Sequence, residues 1–177
     1  MNKEEIRSKM KELLYSQSRE DVKYKSEMIM NKLLSIKEFM EASSVSVYLS
    51  KPHEVDTNYT VEHLLGKKRL SVPVTNSKID LVEFTSFNDL VAGKFGILEP
   101  KTKSFIDYTP DLILIPGVAF DIKKNRLGYG KGFYDIFLKN KSITKIALAF
   151  DFQIVEKLPN EKHDIPMDLI ITEKRII

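Results

Sequence analysis

Residues 125–135, NRLGYGKGFYD, place Gly128, Gly130 and Gly132 within five positions of a 177-residue chain that has only 7 glycines. Glycine lets a backbone approach a ligand closely and reach φ > 0 without strain. Lys131, inside the run, adds a point charge. Arg126, before it, adds a planar fork that matches two phosphate oxygens. Asp135, just beyond, has the chemistry to hold a hard cation such as Mg²⁺ against those phosphates. If a helix starts here, its unpaired N–H groups and dipole also favour an anion. The run is not a Walker A loop, because Gly132 follows Lys131 where Ser or Thr is required. It is not the dinucleotide fingerprint either, because Phe133 stands at the place of the third glycine. The competing reading is a flexible strand-to-helix connection with a solvated lysine.

The elements around the run decide what it faces. Ile6, Met10, Leu13 and Leu14 recur at helical spacing, and Asn2 with Glu5 forms a capping pattern. Ser18 and Asp21 repeat that pattern before a second helix to about Lys37, with Val22, Ile29, Leu33 and Ile36 near one face. VSVYL (45–49) reads as a short buried strand. A helix over Thr57 to Leu65 ends at Gly66. RLSVPV (69–74) and IDLVEF (79–84) are strand-like, with Pro73 expected at a strand end or edge. SFNDLV (86–91) suggests one or two helical turns, and KFGILEP (94–100) a loop. DLILIP (111–116) is the strongest strand, stopped by Pro116. A loop is expected over 117–131, then a helix from GFYDIFL. KIALAF (145–150) and DLIIT (168–172) are two further buried strands. Strands alternating with helices predict an α/β layered sheet, largely parallel, with helices on both faces. The glycine run then lies beyond the carboxyl end of a buried strand, where such sheets collect ligands.

Composition narrows the class. The length suits one domain with a sizeable core. With 42% hydrophobic and 30% charged residues the chain is globular rather than disordered. No stretch approaches a membrane span, and the charged N-terminus, MNKEEIRSKMKELLYS, lacks an apolar signal core. There is no cysteine, hence no disulfide and no thiolate ligand or nucleophile. A cytoplasmic protein is expected. The net charge of +3 comes from 28 basic and 25 acidic residues with the lysines dispersed, so no nucleic-acid partner is expected.

Residues 111–135, DLILIPGVAFDIKKNRLGYGKGFYD, resemble the signature of the 5-formyltetrahydrofolate cyclo-ligase (5,10-methenyltetrahydrofolate synthetase) family. Other landmarks stand in order: Lys3 and Arg7 on the first helix, VYLSKPHEVDT after the first strand, GILEP, and NEKHDIPMD near the end. The resemblance implies a three-layer α/β/α sandwich like that of sugar-phosphate isomerases and CoA transferases, as a single domain over 1–177. It also implies ATP-dependent cyclisation of 5-formyltetrahydrofolate to 5,10-methenyltetrahydrofolate with Mg²⁺ present, and a monomer is expected. By position, Lys3 and Arg7 would contact ATP phosphates, and Arg126, Leu127, Gly128, Tyr129, Gly130, Lys131, Gly132, Phe133 and Tyr134 would form the nucleotide loop. Tyr129 to Phe133 would also border the folate, Leu49 and Glu54 would line the pterin side, and Asp135 and Asp164 would hold Mg²⁺. Many members carry Tyr where Phe133 stands, so no hydroxyl contact is assigned there. Tyr129 is assigned a wall role.

The chemistry implied is conversion of a poor leaving group into a good one. Phosphorylation of the formyl oxygen lets N10 attack the carbon and phosphate depart. Phosphoryl transfer is mostly positioning and charge neutralisation, which suits a chain with no evident triad. Lys131 and Arg126 are the expected catalytic cations. Each residue also has a plainer reading. Lys3 and Arg7 are terminal cations of the solvated sort. Asp135 suits a helix start, Asp164 a turn before Pro166, and Glu54 an ordinary loop. His163 is not assigned a role. Most of the stripe Phe133, Tyr134, Phe137, Leu138 is expected to pack the core. The rival from another class is a nucleotide- or folate-binding protein without turnover, and a further alternative is an isomerase or acyl-CoA transferase of the related fold.

Overall fold

A computed structural model of the chain describes residues 1–93, 98–159, 161 and 164–177. α1 (Lys3–Tyr15) opens on the expected capping box: Asn2 Oδ1 accepts from the amides of Glu4 and Glu5, and Glu5 Oε2 accepts from the Asn2 amide. α2 (Arg19–Ser35) starts at Ser18, whose Oγ accepts from the Asp21 amide at 3.0 Å. It stops short of Lys37 because Ile36 turns extended, at ψ 144°, and packs its side chain on the core. A separate short helix, α3 (Lys37–Glu41), follows.

β1 is shorter than expected: it spans Ser44–Ser46, while residues 47–49 run on, buried, beyond its ladder. α4 (Asn58–Leu64) is followed by Gly66 at φ +75°, as its sequence requires. β2 (Arg69–Thr75) and β3 (Ile79–Glu83) form an antiparallel hairpin. β2 also pairs with β1, but that ladder ends at Ser71, so Pro73 lies where β2 has outrun its parallel neighbour and lacks no bond on that side. After one 3₁₀ turn at Phe87–Asp89 come β4 (Leu90–Ala92) and β5 (Leu98–Pro100), paired antiparallel. The expected loop over 94–100 is thus a strand in its last three residues; its first four lie outside the described residues.

β6 (Leu112–Ile115) matches the strongest strand signal. The loop expected over 117–131 is a correction: it holds a hairpin, β7 (Ala119–Asp121) and β8 (Arg126–Leu127). α5 (Phe133–Leu138), β9 (Thr144–Leu148), β10 (Ile154–Val155) and β11 (Leu169–Ile171) complete the elements. β10 pairs with β7, so the hairpin is part of a three-stranded sheet.

The main sheet has the order β11-β9-β6-β1-β2-β3 and is parallel except for β3. On one face Ile29, Met30 and Leu33 of α2 pack against Val45, Leu112 and Leu114. On the other, Leu138 of α5, flanked by Tyr134 and Phe137, packs against Ile113, Ile115 and Ala147. Alternate residues of one strand therefore serve opposite layers, giving a mostly parallel sheet between helices, as expected. Each such aliphatic side chain contributes about 1.5–3 kcal/mol by leaving water. α1 joins the α2 side of the core only through Leu14, near its C-terminal end. Ile6 and Met10 bury against Val118, Ala119 and Leu127, which docks α1 on the β7–β8 hairpin.

Two carboxylates fix the frame around the site. Asp111 Oδ2 accepts from the Ser43 amide, the Ser44 amide and Ser44 Oγ, tying the start of β6 to the start of β1. Asp121, fully buried, accepts from the amides of Lys123, Asn125 and Leu158 and from Asn125 Nδ2, and so shapes the hairpin turn.

Candidate active site

β1, β2 and β6 end at one edge of the sheet, and a cleft of about 450 Å³ opens there. Leu49 and Glu54 reach it on the segment after β1, and Pro116 on the segment after β6. β8 and the glycine run supply residues 126–132, α5 supplies Phe133, Tyr134 and Asp135, and α1 supplies Lys3 and Arg7. Asp164 closes the set, so every residue singled out from the sequence lines this one cleft.

The glycine run behaves as its sequence suggests. Gly130 has φ +101° and Gly132 φ +64°, conformations that side chains resist. Gly128 is needed for space, since a Cβ there would lie 2.7 Å from Arg126 Nη1. Among the described residues no group accepts from the main-chain amides of Gly128, Tyr129, Gly130, Lys131 or Gly132. The five residues that carry these amides line the cleft, and among them Lys131 is exposed and makes no ion pair among the described residues.

The other cations have structural partners. Arg126 was expected on a loop but sits on β8 with its side chain 4% exposed. Its Nη2 lies 3.1 Å from Asp135 Oδ2, its guanidinium stacks 5.2 Å from the Tyr134 ring, and its buried Nε has no partner among the described residues. Arg7 Nε donates to Gly128 O at 2.9 Å, so α1 grips the glycine run by its main chain. Lys3 Nζ lies 2.8 Å from Glu161 Oε1 and 2.9 Å from Asp164 Oδ2. Although desolvation opposes its charge, these two carboxylates win and raise its pKa above 10.5. Asp164 also accepts from the Glu161 amide, which is the turn-ordering role its sequence allows.

Glu54 faces the run from the β1 side. Its Oε2 accepts from the Lys51 amide at 2.9 Å, and its Oε1 accepts from the Tyr129 hydroxyl at 2.5 Å. Desolvation and then the Glu54 charge push the Tyr129 pKa well above its usual value, so this phenol is a donor at neutral pH. Tyr134 is raised too, chiefly by burial.

Sequence reasoning missed Tyr48, Lys51, Pro73, Thr75, Ile79, Pro116 and Glu161, which also line the cleft. Pro116 carried a usable signal, since it ends the strongest strand. Pro73, Thr75 and Ile79 arrive only through the β2–β3 pairing, which no local pattern encodes. His163 lies outside the described residues.

Asp135 and Asp164 are the residues that the family resemblance offers to Mg²⁺. Both are hard oxygen donors in the cleft that holds the free amides, but each now faces a cation. Among the described residues no group of three or more possible metal ligands occurs. That fits an ion bound by one or two carboxylates together with substrate phosphates, which is the usual habit of Mg²⁺, and not a cage built by protein alone.

Comparison with known proteins shows the family. The model of the 5-formyltetrahydrofolate cyclo-ligase family matches residues 1–173. The chain belongs to that family. A probable 5-formyltetrahydrofolate cyclo-ligase of Caenorhabditis elegans is 34% identical, over 99% of this chain and 94% of its own length. The 5-formyltetrahydrofolate cyclo-ligase of Escherichia coli K12 is 35% identical over 76% of this chain and 80% of its own. The solved 5,10-methenyltetrahydrofolate synthetase of Aquifex aeolicus superimposes with a TM-score of 0.89 at 36% identity, covering 99% of this chain and 92% of that one. The cyclo-ligase fold extends to a Mycoplasma pneumoniae protein at 24% identity, with a TM-score of 0.78 and coverage of 98% and 99%. No helix among the described residues is long and apolar enough to cross a membrane.

Proposed function

We propose that this chain closes 5-formyltetrahydrofolate to 5,10-methenyltetrahydrofolate, using ATP with Mg²⁺ and releasing ADP and phosphate. One observation carries the reading: Lys131, Glu54 and five residues whose amides have no acceptor among the described residues line a single cleft. An oxyanion donor cluster and a hydrogen-bond acceptor at that spacing suit a triphosphate lying beside a flat, N–H-rich heterocycle.

In this reading the glycine run takes phosphate oxygens by its amides, and Lys131 adds charge where the γ-phosphoryl group moves. Glu54 orients the pterin by accepting from its N–H groups. Leu49 and Phe133 exclude water from the reacting carbon. The formyl oxygen attacks phosphorus, ADP leaves, and the C–O bond is now one that breaks easily. N10 attacks the same carbon and gives up its proton to solvent, the ring closes, and that oxygen departs as phosphate. In the same reading Asp135 and Asp164 would hold Mg²⁺, which when bound would supply neutralising charge to the phosphates.

The deciding assay mixes the protein with ATP, Mg²⁺ and 5-formyltetrahydrofolate and follows the near-ultraviolet absorbance of the methenyl product. Product that depends on both ATP and the folate is the expected result. Tight folate binding with no product would mark a binding protein and end the catalytic reading.

A further inference from the structure

We propose that Tyr129 is a positioning residue that couples the two substrate sites: it occupies Glu54 until nucleotide draws the glycine run away. The proposal rests on the functional reading above and adds an order to it. Tyr129 stands in the middle of the run, between Gly128 and Gly130, the latter at φ +101°. Its hydroxyl crosses the cleft to Glu54 Oε1 at 2.5 Å, a contact between positions 75 residues apart in the chain. Its side chain is otherwise poorly anchored: the residue is 51% exposed, and its ring meets the Lys51 ammonium 5.0 Å away.

The Lys51 amide already binds Glu54 Oε2. Both carboxylate oxygens therefore have a donor before any ligand arrives. A pterin presents adjacent N–H donors along one edge and asks for these same oxygens. The phenol thus stands where a folate donor must go, and the folate binds fully only after the phenol leaves. The amides on either side of Tyr129 are the ones that phosphate would engage. Turning those peptides onto an oxyanion rotates the backbone that carries the ring, and glycines on both sides let it turn. Nucleotide then uncovers Glu54, and by reciprocity folate tightens nucleotide.

The test is equilibrium binding of 5-formyltetrahydrofolate to the wild type and to Tyr129→Phe. Each is measured alone and with Mg²⁺ and a non-hydrolysable ATP analogue. Wild type should bind the folate about tenfold more tightly with the analogue, the scale set by one hydrogen bond to a charged group. Tyr129→Phe should bind it as tightly without the analogue as wild type does with it, and gain little on adding it. Tyr129→Ala, also without the hydroxyl, should show the same loss of coupling, and unchanged melting curves exclude misfolding. Weaker or unchanged folate binding by both variants without nucleotide overturns the proposal, as does a wild type indifferent to the analogue. If no form of the protein binds the folate, the functional reading falls and this proposal falls with it. If all bind it equally, only this proposal falls.

Discussion

Arg126 and Asp135 hold each other at the root of the glycine run, Nη2 to Oδ2 at 3.1 Å, with the arginine side chain only 4% exposed. A strand residue and a residue in the first turn of α5 are thereby locked together, and the run is strung between two fixed posts. Arg126 serves the cleft first as that post. Its buried Nε has no partner among the described residues.

Lys131, exposed and without an ion pair among the described residues, is the cation best placed to follow a moving phosphoryl group. Lys131→Ala should lower turnover by at least about tenfold, near 1.4 kcal/mol of transition-state stabilisation, with the melting temperature unchanged. Steady-state kinetics beside a thermal melt checks it, and near-wild-type turnover would remove Lys131 from the phosphate site.

Gly128→Ala puts a methyl group 2.7 Å from Arg126 Nη1 and must shift that post. The expected outcome is a fall of about tenfold or more in kcat/KM for ATP, with modest destabilisation of about 1–3 kcal/mol. Gly66→Ala is the control. Nothing lies within 4 Å of its added carbon, but φ is +75°. It should cost about 1–2 kcal/mol of stability and leave kinetics alone.

Asp121→Ala removes a fully buried carboxylate that accepts from the amides of Lys123, Asn125 and Leu158, the last of these bonds being buried itself. Chemical denaturation should show a loss of about 3–5 kcal/mol, because the orphaned donors keep their desolvation penalty. An effect under about 1 kcal/mol would mean that the hairpin is held elsewhere.

Asp111 carries a pH signature. The Ser44 amide and hydroxyl, with the Ser43 amide, hold its carboxyl below 3.8. A depressed folded value means that the unfolded chain takes up the proton first. The contribution of Asp111 is therefore complete above pH 3.8 and is lost as pH falls through the lower, folded value. The stability gap between wild type and Asp111→Ala should stay constant from neutral pH to about 4.5 and close below that. A gap that persists unchanged at pH 2.5, set against about 3.9 for a free carboxyl, would refute it.

Much of this was legible because the signals are local. The Asn2 and Ser18 caps, Gly66 behind α4, and the four apolar residues of β6 are each specified by neighbours in sequence. The grouping of Lys3, Glu54, Lys131 and Asp164 in one cleft was legible only through the family signature, since no local rule joins positions so far apart. The β7–β8 hairpin escaped because strands of three and two residues are too short to show alternation. The partners of Arg126 and Glu54 escaped because ion pairs and hydrogen bonds between segments depend on packing, not spacing.

α1 reaches the cleft by gripping main chain and carboxylates that lie 121 and 161 positions downstream. A ribosome must therefore release the chain through Asp164 before the pocket exists at all. Competence to bind substrate waits on that segment, and ligand capture by a nascent chain would report that α1 and the stretch around Asp164 have met.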